Sequence, residues 1–153
     1  MGSTGSYAYL RPDERAAVPA DPEAARARVQ EIRAIIPRHV SLGVSGDSVA
    51  AAGLVAGCDA WYSVIAGTLP QPALRITRAV QEGRHQEGLD LSEELGPLWE
   101  LFAREGGSLR VTAAIAEELG LAPRRSLPLP IQGLDAHQRA RVSQVLRELH
   151  LLA

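Results

Sequence analysis

The sequence predicts an α/β fold, in which part of a parallel α/β barrel is followed by a C-terminal helical extension. Three observations carry this. The stretch from Val40 to Pro70, VSLGVSGDSVAAAGLVAGCDAWYSVIAGTLP, reads as strand, loop, short helix, strand and loop. That order is the repeating unit of a parallel barrel, whose functional loops lie at the carboxyl ends of its strands. Both strand segments are continuous apolar runs, as expected where both faces are covered. Beyond Pro72 the apolar residues recur only at helical spacing.

Residues 1–20 read as a flexible, irregular segment. Tyr7, Tyr9 and Leu10 have strand character, but Pro12 and Pro19 break the run. The first helix begins at Asp21-Pro22, an N-cap followed by proline at the first helical position. Ala25, Val29, Ile32 and Ile36 form its buried face, and Pro37 ends it. Val40 to Ser45 is the first strand. Asp47 or Ser48 is expected to cap the helix through Leu54 and Val55, with Gly57 just past its end. Ala60 to Ala66 is the second strand. Gly67 to Pro72 reads as a loop and Pro72 to Glu82 as a helix stopped by Gly83. Leu91, Leu95, Leu98 and Phe102 mark one long helix stopped by Gly106-Gly107. Leu109 to Leu119 forms another, stopped by Gly120. Pro123 to Pro130 is expected to be extended. The last helix starts at Asp135, with Gln138 completing a capping box and Val142, Val145, Leu146 and Leu149 on its apolar face. The expected organisation is a flexible segment over 1–20, partial barrel units over 21–83 and a helical extension over 84–153.

Composition excludes several classes of function. The 153 residues suffice for one domain with a real core. A net charge of −2 and 4% aromatics argue against a nucleic-acid surface. No apolar run is long enough to span a bilayer, and no secretory signal precedes the first helix. Gly2 and Ser6 match the myristoylation pattern only loosely, and a flexible terminus is the simpler reading. The single cysteine, Cys58, cannot form an internal disulfide and fits a cytoplasmic protein.

The motifs that suggest chemistry are incomplete. Gly43-Val44-Ser45-Gly46-Asp47 approaches the nucleophile elbow G-x-S-x-G, but Asp47 stands where the last glycine belongs. His39, His85, His137 and His150 show no ligand spacing, so no metal is expected. Cys58 reads as a small core residue. A lysine-bearing phosphate loop is ruled out, because all sixteen basic side chains are arginine. The Ser45-Gly46-Asp47-Ser48 turn could offer backbone N–H groups to an anion, against the charge of Asp47. Glu93-Glu94, Glu117-Glu118 and Arg124-Arg125 read as solvated helix ends. Tyr62 and Ser63, on the second strand, point either into a core or into a barrel interior.

From about Asp21 onward the chain resembles the C-terminal half of the dihydrodipicolinate synthase and N-acetylneuraminate lyase family. VSLGVSGDS resembles the family's seventh barrel strand with its Ser-Gly-Asp turn. GCDAWYSVIAGTLP resembles the eighth, with Ala66-Gly67 in place of the usual Ala-Asn turn. LRVTAAIAEELGLAPRRSLPLPIQGL and the last helix resemble the family's C-terminal extension. The resemblance implies a partial (β/α)8 TIM barrel made of strands 7 and 8, with strand 6 left open.

It also implies carbon–carbon lyase or aldolase chemistry on pyruvate or a related 2-oxo acid, through a lysine Schiff base. That lysine belongs on the sixth strand, near Pro19 or Ala20, and this chain has none. Arginine stays protonated and cannot replace it. The resemblance carries over Gly46, Tyr62 and Ser63 as remnants of the substrate pocket, with no catalytic residue and no cofactor. A full barrel needs about 250 residues, so open strand edges imply a homo-oligomer or a separate N-terminal half-barrel chain as partner. The alternative is a non-enzymatic helical interaction or scaffold protein using the face from Leu91 to Leu149.

Overall fold

The computed structural model describes residues 19–152. The strand character noted at Tyr7, Tyr9 and Leu10 and the pattern at Gly2 lie outside them. Helix α1 spans Pro22–Ile35, and the Asp21 carboxylate accepts the Ala24 N–H at 2.8 Å. This satisfies one of the amides that every helix start leaves without a partner. Ala25 and Val29 are buried beneath it.

Strand β1 (Gly43–Ser45) and strand β2 (Ala60–Tyr62) pair in parallel, with Gly43 opposite Ala60, Val44 opposite Trp61 and Ser45 opposite Tyr62. A 3-10 turn at Asp47–Val49 leads into helix α2 (Ala50–Val55). Gly57 follows α2 with φ 105°, the left-handed position expected past a helix end. Both strands are shorter than the sequence predicts. β2 stops at Tyr62 rather than Ala66, because the Val64 and Ile65 amides turn aside to the Asp47 carboxylate. A 3-10 turn at Ile65–Gly67 follows.

Helix α3 (Pro70–Gln81) starts two residues before the predicted Pro72, since proline is favoured in a first turn. The predicted single helix through Leu91 and Phe102 is two: α4 (His85–Glu94) and α5 (Gly96–Arg104). The break falls at Leu95, before Gly96-Pro97, where proline lacks the N–H that would continue the ladder. Trp99 bridges the break by donating its indole N–H to the Ser92 carbonyl at 2.8 Å. Helix α6 (Ser108–Glu118) and helix α7 (Ala136–Glu148) complete the chain, and the Asp135–Gln138 capping box is formed on both sides. The connector between them has turns at 124–125 and 129–130 rather than one extended run.

Two apolar clusters share α2. Val29, Leu42, Val44, Ala50 and Cys58 fill the space between α1, β1 and α2. Ala51, one residue along from Ala50, belongs to the larger cluster, which runs through Ile65, Ile76, Leu98, Val111 and Leu146. Val44 lies against Gly53, where an added Cβ would sit 2.8–3.0 Å from its side chain. The α3–α4 pair is similarly close at Gly88, where a Cβ would come within 2.5 Å of Val80. Glu105 is buried at the end of α5 and accepts from Gln138 and Arg141 of α7. Burying a carboxylate is tolerable only with such donors.

Candidate functional site

The carboxyl ends of β1 and β2 meet at Asp47. Its side chain is 4% exposed and accepts three hydrogen bonds at 3.0 Å. Oδ1 takes the Trp61 indole N–H and the Val64 N–H, and Oδ2 takes the Ile65 N–H. The expected capping role at α2 is corrected: neither the 3-10 turn nor α2 has a side-chain cap. Asp47 instead ties the end of one strand to the loop after the other. Gly46 precedes it with φ 111°, a conformation L side chains rarely adopt, and this lets the chain turn inward immediately after Ser45. Ser45 is the last strand residue, and the left-handed position belongs to Gly46, so the geometry is not that of a nucleophile elbow.

Strand alternation separates two faces. Val44 and Trp61 face the helices. Tyr62 lies over Gly43, where an added Cβ would fall 2.3 Å from its ring. Tyr62 remains 55% exposed, so it is not a core residue. Gly43, Ser45, Ala60 and Tyr62 form a face that belongs to neither apolar cluster of the described residues. Ser63 lies past the strand; its hydroxyl oxygen accepts the Ala66 N–H at 3.1 Å and stabilises the following turn. Gly46 and Tyr62 thus border the open side of the sheet, while Ser63 is engaged by its own loop. Pro19 and Ala20 precede α1 and carry no amine.

At the opposite end of the strands, Arg33 of α1 donates to the Val40 and Gly57 carbonyls, each at 3.2 Å, and to Asp59 Oδ2 at 2.5 Å. The same oxygen accepts the Leu42 N–H at 2.6 Å. The guanidinium, followed by that amide, holds the Asp59 carboxyl below its usual range. Burial pushes the neighbouring Cys58 thiol up, which leaves it a poor nucleophile at neutral pH. Glu117 departs from the expected solvated helix end: its side chain is only 11% exposed and pairs with Arg139, which lowers its pKa. Among the described residues no three His, Cys, Asp or Glu side chains come together to hold a metal ion. No helix among them is long and apolar enough to cross a membrane.

These shifts give a testable pH dependence. A carboxyl whose folded pKa is depressed contributes stability in full above its unfolded value, about 4. That contribution disappears as pH falls through the folded pKa. The urea midpoint is therefore expected to fall as pH drops below about 5. Glu117→Gln should flatten the acid limb more than Asp59→Asn, because the Asp59 side chain is 46% exposed and screened.

The parallel strands, the helical crossover between them and the helical C-terminal part define an α/β chain. Residues 23–149 match the model of the dihydrodipicolinate synthetase family, and the chain belongs to that family. A dihydrodipicolinate synthase from Agrobacterium tumefaciens is 38% identical, with a TM-score of 0.77 over 87% of this chain and 44% of that one. Dihydrodipicolinate synthases from Thermotoga maritima and Aquifex aeolicus, each 19% identical with TM-scores of 0.73, share the fold. The Thermotoga match covers 90% of this chain and 45% of that one; the Aquifex match covers 82% and 42%. The chain therefore spans less than half the length of each of these three solved structures. The search of curated proteins gave no match.

Proposed function

We propose that this chain is the C-terminal half-barrel of a dihydrodipicolinate synthase-like carbon–carbon lyase or aldolase acting on pyruvate or a related 2-oxo acid, and that alone it is inactive. In this reading β1 and β2 are barrel strands 7 and 8. Residues 21–83 are barrel units, residues 84–153 are the helical extension, and the protein is cytoplasmic. Gly46, Tyr62 and Ser63 border what remains of the 2-oxo acid pocket. The observation that carries the reading is the joint one: a family match over 23–149 and a parallel sheet with one face outside both apolar clusters of the described residues. The small side chains of Ser45 and Ala60 are in keeping with a ligand or facing strands on that face, and Gly43 makes room for the Tyr62 ring.

An amine nucleophile is what makes an iminium electron sink from a keto acid. The sequence holds no lysine, so the amine must come from strands outside these 153 residues. Each described strand is also paired on one side only, and unpaired edges invite pairing with another chain. The partner is a second copy or a polypeptide carrying the N-terminal half of the barrel. The scaffold alternative has less support, because Leu91, Leu95, Leu98 and Leu146 are buried in the chain's own core rather than presented to a partner.

The test is co-expression with the N-terminal part of the Agrobacterium tumefaciens dihydrodipicolinate synthase through its sixth strand, on which the family resemblance places the lysine. The two polypeptides are expected to co-purify. Pyruvate and borohydride should then add mass to the Agrobacterium part only. Failure to associate, or keto acid turnover by the isolated chain, would overturn the reading.

A further inference from the structure

The connector between α6 and α7 encloses a cleft of about 630 Å³ that uses no residue of the sheet. Its size falls within the range of small-ligand pockets. Four arginines line it, Arg110, Arg124, Arg125 and Arg139, against the single carboxylate of Glu117. That is a local excess of positive charge in a chain whose net charge is −2, and a concave wall concentrates such a field.

The four arginines divide into two kinds. Arg110 donates to the Gln132 and Gly133 carbonyls at 2.9 and 3.2 Å, and Arg139 donates to the Leu134 carbonyl at 2.9 Å and pairs with Glu117. These two build the wall. Arg124 and Arg125 are exposed, and among the described residues neither guanidinium has a hydrogen-bond acceptor. Arg125 is also held at φ 64°, in the left-handed region, with its backbone N–H on Glu117 Oε1 at 3.1 Å. Both residues thus line the cleft, while the Glu117 carboxylate beside them is already taken by Arg139. Leu127, Leu129 and Ile131 supply an apolar side to the same cleft.

We infer that this cleft binds a small organic dianion, its two acidic oxygens on the paired guanidinium groups of Arg124 and Arg125 and its carbon body against Leu127, Leu129 and Ile131. Guanidinium forks match carboxylate and phosphate equally in geometry, so the shared chemistry is a dicarboxylate or a phosphate monoester. The inference is independent of the aldolase reading. It holds or fails whether or not the sheet completes a barrel.

Calorimetric titration of the full chain with succinate and with glycerol 3-phosphate tests it, with inorganic phosphate as the arm lacking a carbon body. Saturable binding of at least one organic dianion, tighter than inorganic phosphate, is expected. The double variant Arg124→Ala/Arg125→Gly should weaken it at least tenfold. Glycine at 125 fits the left-handed backbone and keeps the N–H to Glu117, so the thermal midpoint should not fall. Arg104→Ala, on α5 and outside the cleft, should leave binding unchanged. Absence of saturable binding, equal losses with Arg104→Ala, or tighter binding of RNA than of either organic dianion would each overturn the assignment.

Discussion

Asp47→Ala is expected to remove about 3–5 kcal/mol of stability, since the buried Ile65 N–H left without a partner costs roughly 1–3 kcal/mol and each bond lost to the partly exposed Trp61 and Val64 donors roughly 1 kcal/mol. The carboxylate accepts from Trp61, Val64 and Ile65, and alanine leaves all three donors unmatched. Against a typical domain stability of about 5–15 kcal/mol, this takes away a large share. The melting temperature should drop by roughly 10–20 °C. Asp47→Asn separates charge from geometry. Its oxygen can keep Trp61 and Val64, but its amide would then face the Ile65 N–H, donor against donor. A loss of about 1–3 kcal/mol is expected there. Trp61 fluorescence in a Trp99→Phe background reads both variants at the site itself. An alanine variant that melts within 3 °C of the parent, roughly 1 kcal/mol or less, would mean the two strand ends are not held together by this carboxylate.

Asp47 also shows where sequence reading reaches its limit. What the chain decides over four or five residues was legible. Asp21 before Pro22 caps α1, Asp135 and Gln138 close the box on α7, and Gly57 ends α2. The β1–α2–β2 order and its parallel pairing followed from two apolar runs joined by a short helix. The break at Leu95 had a local signal in Gly96-Pro97, but the regular leucine spacing through it masked that signal. The partners of Asp47 lie 14–18 residues away. Serine, glycine and aspartate before a helix look like a cap, and nothing local shows that the carboxylate turns to the next strand instead. Glu117 was hidden for the same reason, since Arg139 lies 22 residues further on. Long-range polar pairs depend on how helices are stacked, and helical periodicity carries no record of that stacking.

Gly53→Ala should destabilise the chain by about 1–3 kcal/mol, although alanine is the better helix former by roughly 1 kcal/mol. Propensity loses here because the new methyl has no space. It would lie 2.8 Å from Val44 Cγ2, 2.9 Å from Val44 Cβ and 3.0 Å from Val44 Cγ1. The Cβ contact is the decisive one, since a rotamer change moves Cγ atoms but leaves Cβ fixed to the strand. Helix α2 must therefore lift from β1, and α2 is the element on which both apolar clusters meet through Ala50 and Ala51. A double-mutant cycle isolates the contact. Val44→Ala alone should cost about 1–3 kcal/mol through lost burial. Combined with Gly53→Ala it removes two of the three close approaches, so the double variant should be more stable than the sum of the singles by at least about 0.5 kcal/mol. Strict additivity in the urea midpoints would show that the Val44 methyl groups take no part in the clash.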